Sequence, residues 1–74
     1  SNFMLNKGEL VWHEIYGIGE IIFSEKNKES INLETANVRF QIDSDNDVPS
    51  FIVNKFRKSH LKKVEEVFGT SEFK

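Results

Sequence analysis

The chain has 74 residues, 38% of them hydrophobic and 30% charged, with 12 acidic against 10 basic side chains and a net charge of −2. A chain of this length holds one domain with a small core, whose net stability rarely exceeds roughly 3–5 kcal/mol. It has no cysteine, which excludes disulfides, thiolate metal sites and thiol nucleophiles and fits a reducing cytoplasm. No apolar run approaches the roughly 20 residues of a membrane span, and no charged-then-apolar leader opens the chain, so the expectation is a soluble, cytoplasmic monomer.

Ser1-Asn2 has the look of a cleaved tag remnant, and residues 1–6 are set aside as remnant and N-terminal arm. The segment Gly8-Glu9-Leu10-Val11-Trp12-His13-Glu14-Ile15-Tyr16-Gly17-Ile18-Gly19-Glu20-Ile21-Ile22 organises the rest of the chain. Leu10 and Trp12 alternate with Val11 and His13, and after the Tyr16–Gly19 bend Ile18, Glu20 and Ile22 alternate with Gly19, Ile21 and Phe23. That pattern predicts a hairpin with strands about Leu10–His13 and Ile18–Ser24. Its two glycines answer either a positive φ or a backbone approach too close for a Cβ, as the start of a small, strongly curved barrel demands.

The polar run Glu25–Ser30 reads as a loop. Apolar residues resume at Ile31 and Leu33, and Ala36, Val38, Phe40 and Ile42 predict a strand with Phe40 in the core and Arg39 and Gln41 toward water. Asp43-Ser44-Asp45-Asn46-Asp47 is a run of turn-formers where the chain should reverse. Its three aspartates have the alternate spacing of calcium-loop ligands. However, an EF-hand starting at Asp43 needs glycine and glutamate where this chain has Val48 and Asn54, so the stretch reads as a solvated acidic turn. Pro49 suits the head of an edge strand, and Ser50–Val53 is rich in β-formers. Asn54–Ser59 is expected to make one helical or 3₁₀ turn, with Phe56 inward and Arg57 and Lys58 outward. Leu61 and Val64 return to the body as a last strand or a capping turn, and the segment from Glu65 has helical propensity up to Gly69. Spacing alone therefore gives an all-β, five-stranded, strongly bent barrel over residues 7–64, with a tail over 65–74 that carries a short helical turn.

Charge is split along the chain. Glu9 to Asp47 carries nine acidic residues against three basic ones, whereas Lys55, Arg57, Lys58, Lys62 and Lys63 come after it with no acid among them. Such a cluster can meet phosphates or an acidic protein surface, although most charge runs are simply a solvated face.

The opening segment resembles the start of the Tudor-like, SH3-like barrels at the C-terminus of UvrD/PcrA-type helicases. The shared pattern is glycine-acid, valine, histidine, aromatic-glycine-x-glycine, then an apolar strand. It is also similar to the RNA-polymerase-interacting domains of CarD and the transcription-repair coupling factor. Val38-Arg39-Phe40 resembles the middle strand of those domains, and Phe51-Ile52-Val53 with Phe56, Leu61 and Val64 resembles their last strand and closing turn, so the likeness spans about Lys7 to Val64. The acidic stretch Asp43–Asp47 departs from the pattern, and no Walker motif or helicase motor accompanies the barrel. The resemblance implies a non-catalytic module, part of a DNA helicase or a transcription factor, that docks on the RNA polymerase β subunit or a comparable large partner in transcription or DNA repair. The residues expected to make that contact are Phe51, Ile52, Lys55, Arg57 and Lys58, on an edge strand with free backbone groups.

Two other classes compete with docking: a nucleic-acid-binding barrel using Lys55, Arg57, Lys58, Lys62 and Lys63, which an acidic chain makes weak, and a stand-alone structural or regulatory domain. No nucleophile elbow, phosphate loop or ligand triad points to catalysis, and no cofactor or metal is expected. His13 and His60 lie in separate segments, and His13 reads as a structural histidine bonded to its turn. Trp12, Tyr16, Phe23, Phe40, Phe51 and Phe56 could cage a methylated side chain, but in so small a domain most of them are needed for the core.

Overall fold

Strands account for most of the chain in the computed structural model, which describes residues 4–26, 33–43 and 46–69. Five strands, β1 (Leu10–His13), β2 (Gly17–Ser24), β3 (Thr35–Ile42), β4 (Ser50–Arg57) and β5 (Lys62–Lys63), form one antiparallel sheet in the order β4-β3-β2-β1-β5. A 3₁₀ turn at Lys58–His60 links β4 to β5, and a single short helix, α1 (Val64–Phe68), comes last among the described residues. This is the expected small, barrel-like all-β domain. Among the described residues no helix is long and apolar enough to cross a membrane.

The predicted hairpin forms, with Leu10 opposite Glu20 and His13 opposite Gly17, so that β2 starts one residue before the expected Ile18. Its two glycines do different jobs. Gly17 has a φ of +77°, the left-handed residue that closes a three-residue connection, whereas a Cβ on Gly19 would lie 2.6 Å from the Phe40 ring. Both reasons offered by the sequence are present, one at each position.

The core comprises Leu5, Val11, Ile21, Ala36, Val38, Phe40 and Leu61, with Tyr16, Ile52 and Phe56 packed against it. Leu5 corrects the expected N-terminal boundary. The Gly8 N–H donates to the Ile21 carbonyl and the Ile21 N–H to the Glu9 carbonyl, extending the β1–β2 ladder backwards. The arm is thereby laid across the barrel with Leu5 inside, so the folded body starts before Lys7.

A second correction concerns Phe23, which strict alternation places beside Ile21 on the core face. A register shift between Ile21 and Phe23 puts Phe23 opposite Asn37 and Ser24 opposite Ala36, and Phe23 is exposed. A bulge adds one residue and flips everything after it to the other face. β4 is also longer than its apolar run, continuing through Asn54, Lys55, Phe56 and Arg57 because β3 offers partners for all eight residues; the 3₁₀ turn starts only at Lys58. The remainder of the Glu25–Ser30 loop beyond Lys26, together with Ile31, Ser44, Asp45, Ser1-Asn2 and the tail after Gly69, lies outside the described residues.

Candidate docking surface along the β4 edge

β4 is a terminal strand of the sheet. It pairs with β3 without interruption from Ile42 opposite Ser50 to Thr35 opposite Arg57, and its other side has no strand partner among the described residues. Alternation divides its side chains. Ile52 and Phe56 point inward and pack on the core, while Phe51 (52% exposed), Val53 (48% exposed), Lys55 and Arg57 point outward. Of the apolar pair expected from sequence, Phe51 is therefore the surface residue and Ile52 a core one. Val53, absent from that expected contact set, belongs to the face; its place in the alternation between Phe51 and Lys55 was the signal for it.

The outer face carries its own electrostatic order. The Arg39 guanidinium donates to Glu20 at 2.8 Å and lies over the Phe51 ring, 5.3 Å from its centroid. Lys55 reaches Glu25 at 3.3 Å, and Glu25 also accepts the Thr35 hydroxyl at 2.9 Å. First the Thr35 hydroxyl and then Lys55 hold the Glu25 carboxyl below the usual glutamate range. Both members of the Lys55–Glu25 pair are about half exposed, so it is a weak clamp that a competing carboxylate can open.

Lys58 overturns its assignment as an outward-facing contact. It is 1% exposed, its ammonium donates to the Glu34 carboxylate at 2.9 Å, and its N–H donates to the Glu34 carbonyl. The cause is the extra length of β4: carrying the strand through Arg57 rotates the next residue to the inside, where only a paired cation is tolerated. Glu34 was the available partner, but it lies 24 positions away and nothing local marks it.

The five-cation cluster is dispersed in the same way. Lys58 is internal, Lys55 meets Glu25, Lys63 meets Glu9 at 3.5 Å, and Lys62 lies over the Trp12 ring with its ammonium 5.9 Å from the centroid. Lys55 and Arg57 belong to one terminal strand of the sheet, Lys62 and Lys63 to the other.

The aromatic residues also separate. His13, Tyr16, Phe40 and Phe56 form one cluster with every pair of ring centroids between 5.1 and 6.0 Å. Phe40 at its centre is completely buried, so these rings fill the interior rather than frame a cage, and Phe23 and Phe51 lie on the surface. His13 Nδ1 accepts the Ile15 N–H at 3.1 Å, the structural role expected of it, and its ring proton accordingly sits on Nε2. No family model matches the chain, and neither a curated protein nor a solved structure does.

Proposed function

We propose that this chain is a non-catalytic docking module that takes an extended segment of a partner protein as an additional strand along β4. The observation that supports it is the edge itself: eight residues in unbroken register, no bulge, and Phe51 and Val53 half exposed beside it. Long, regular apolar edges invite pairing unless blocked, and strand addition draws affinity from backbone hydrogen bonds and selectivity from alternate side chains. Lys55 and Arg57 at the C-terminal half of the strand favour a partner segment carrying carboxylates there and speed its encounter. The resemblance to the barrels of UvrD/PcrA-type helicases and of the CarD group names the partner class, RNA polymerase or another large nucleic-acid-processing assembly, and is an analogy of sequence pattern. The competing nucleic-acid reading of the Lys55–Lys63 cluster is weakened by the burial of Lys58 and the pairing of Lys55 and Lys63.

The test is an NMR titration of the labelled domain with the polymerase β-subunit lobe. Amide shifts are expected to concentrate on residues 50–57. Phe51→Glu and Arg57→Glu should each weaken binding by about tenfold or more, the equivalent of about 1.4 kcal/mol. Shifts confined to the hairpin turn or to the loop around Asp43 and Asp47, or wild-type affinity in both variants, would rule out this edge.

A further inference from the structure

At the other end of the strand order, a groove of about 370 Å³ opens between the hairpin turn and the 3₁₀ turn, lined by Trp12, His13, Glu14, Ile15, Ser59, His60 and Lys62. We propose that this groove binds a single nucleotide unit bearing an exocyclic amino group, with the base on Trp12 and the phosphate between Lys62 and His60.

Each component is in place for that chemistry. Trp12 is half buried on the outer face of β1 directly opposite Lys62 and lines the groove, so the sheet holds in place a flat ring on which a base can stack once the Lys62 ammonium moves aside. Lys62 already lies near that ring; its flexible stem lets the ammonium move from the π-face to a phosphate oxygen without any backbone change. Ser59 and His60 lie on the 3₁₀ turn that forms the opposite wall, and both are exposed. No side-chain hydrogen bond or ion pair among the described residues engages Glu14, Ser59 or His60, so these groups are available to a ligand. This contrasts with Lys55 on β4, which meets Glu25. Glu14 gives the site its selectivity: a carboxylate accepts from a base amino group such as cytosine N4 and repels a carbonyl at the same position. A purely anionic ligand would meet that carboxylate unfavourably, and a purely apolar one would leave Lys62 and Glu14 without new partners. A ligand with a flat ring, an amine at one end and a phosphate at the other satisfies all three. The site is independent of the β4 docking edge, so either can fail alone.

Trp12 is the chain's single tryptophan, which makes its fluorescence a direct reporter. Titration with cytidine 5′-monophosphate is expected to quench it saturably, with uridine 5′-monophosphate and with unphosphorylated cytidine each weaker by at least about fivefold. Lys62→Glu should reduce affinity for cytidylate by about tenfold. Glu14→Gln, whose amide can donate as well as accept, should shrink the cytidylate-to-uridylate ratio toward one. Amide spectra of both variants serve as the folding control. A five-nucleotide oligocytidylate identifies the source: tighter binding than the monomer indicates a single strand, equal binding a free nucleotide, and both support the site. Absence of quenching into the millimolar range would overturn the proposal. So would equal response to cytidylate and uridylate, affinities unchanged in both variants, or shifts at this groove from a phosphate-free acidic peptide but not from nucleotides.

Discussion

Replacing Lys58 by methionine tests the most consequential correction to the sequence reading. The lysine is 1% exposed and its Glu34 partner has a side chain only 10% exposed, with 2.9 Å between charged atoms. Truncating the cation leaves a buried carboxylate with no counter-charge, a loss worth about 3–5 kcal/mol. A domain of this size has a total stability of similar magnitude, so Lys58→Met should be largely unfolded at 25 °C. Glu34→Leu should be comparably unstable, since it leaves the ammonium inside. The double variant Lys58→Met/Glu34→Leu removes both desolvation costs and should recover to within about 1 kcal/mol of wild type or exceed it. The backbone bond from the Lys58 N–H to the Glu34 carbonyl is open to all four proteins, so the cycle isolates the side chains. Urea unfolding followed by Trp12 fluorescence reads the result through the midpoint, provided the slope is unchanged, and a coupling energy above about 2 kcal/mol is expected. If each single change costs less than about 1 kcal/mol, as at an exposed pair, or if the two costs simply add, the pair is not the internal clamp described. For the same reason Lys58→Glu is unsuited as a probe of docking: it would set two carboxylates together in the core and report unfolding instead of a lost contact.

The hairpin glycines should separate by mechanism. Gly19→Ala drives a methyl into the Phe40 ring and is expected to cost about 1–3 kcal/mol, whereas at Gly17, with φ of +77° and open space around it, asparagine should be tolerated and valine should not, by about 1–2 kcal/mol; equal melting temperatures for Gly17→Asn and Gly17→Val would contradict the turn assignment. The depressed Glu25 carboxyl contributes stability that is present above the ordinary glutamate range and lost as pH falls through its lower folded value. Thr35→Val and Lys55→Gln should each raise that value, because each removes a cause of the depression, the Thr35 hydroxyl bond and then the Lys55 ammonium; carboxyl-carbon NMR across the acid range checks this, and an unmoved Glu25 titration in both variants would refute it.

Alternation along the chain was enough to find β1, β2 and β3, because a strand with one buried face writes a period of two into its sequence; β4 showed through its run of β-formers, and the two lysines of β5 carry no such period. Val11, Ile21, Val38 and Phe40 are all fully buried as that period requires. What it missed lay where the period breaks or where partners are distant. The bulge that turns Phe23 outward is one extra residue with no compositional mark. The extension of β4 through Asn54, Lys55, Phe56 and Arg57 is dictated by β3 across the sheet, overriding the polar character of the segment itself. Leu5 is internal only because backbone bonds of Gly8 and Glu9 draw the arm over Ile21. The candidate docking edge was legible in outline from Pro49 and the Phe51–Val53 run, but which of those side chains face solvent depended on the phase that β3 imposes.

Counting charges along the sequence overstates what a partner would meet. Of the five cations between Lys55 and Lys63, one holds the interior together, two are opposed by Glu25 and Glu9, and Lys62 rests on Trp12. That leaves Arg57 as the exposed cation of β4 without a carboxylate beside it among the described residues. An acidic chain with its positive charge so divided exerts little long-range pull on a polyanion, since attraction at a distance tracks the summed field and salt screens it beyond about 10 Å. Recognition must then act at contact range. On β4 the contact-range features are backbone groups with no strand partner among the described residues, two half-exposed apolar side chains and one arginine. These suit a narrow, extended protein segment with a carboxylate at one end better than the evenly charged backbone of a nucleic acid, which would need cations spaced along its whole length.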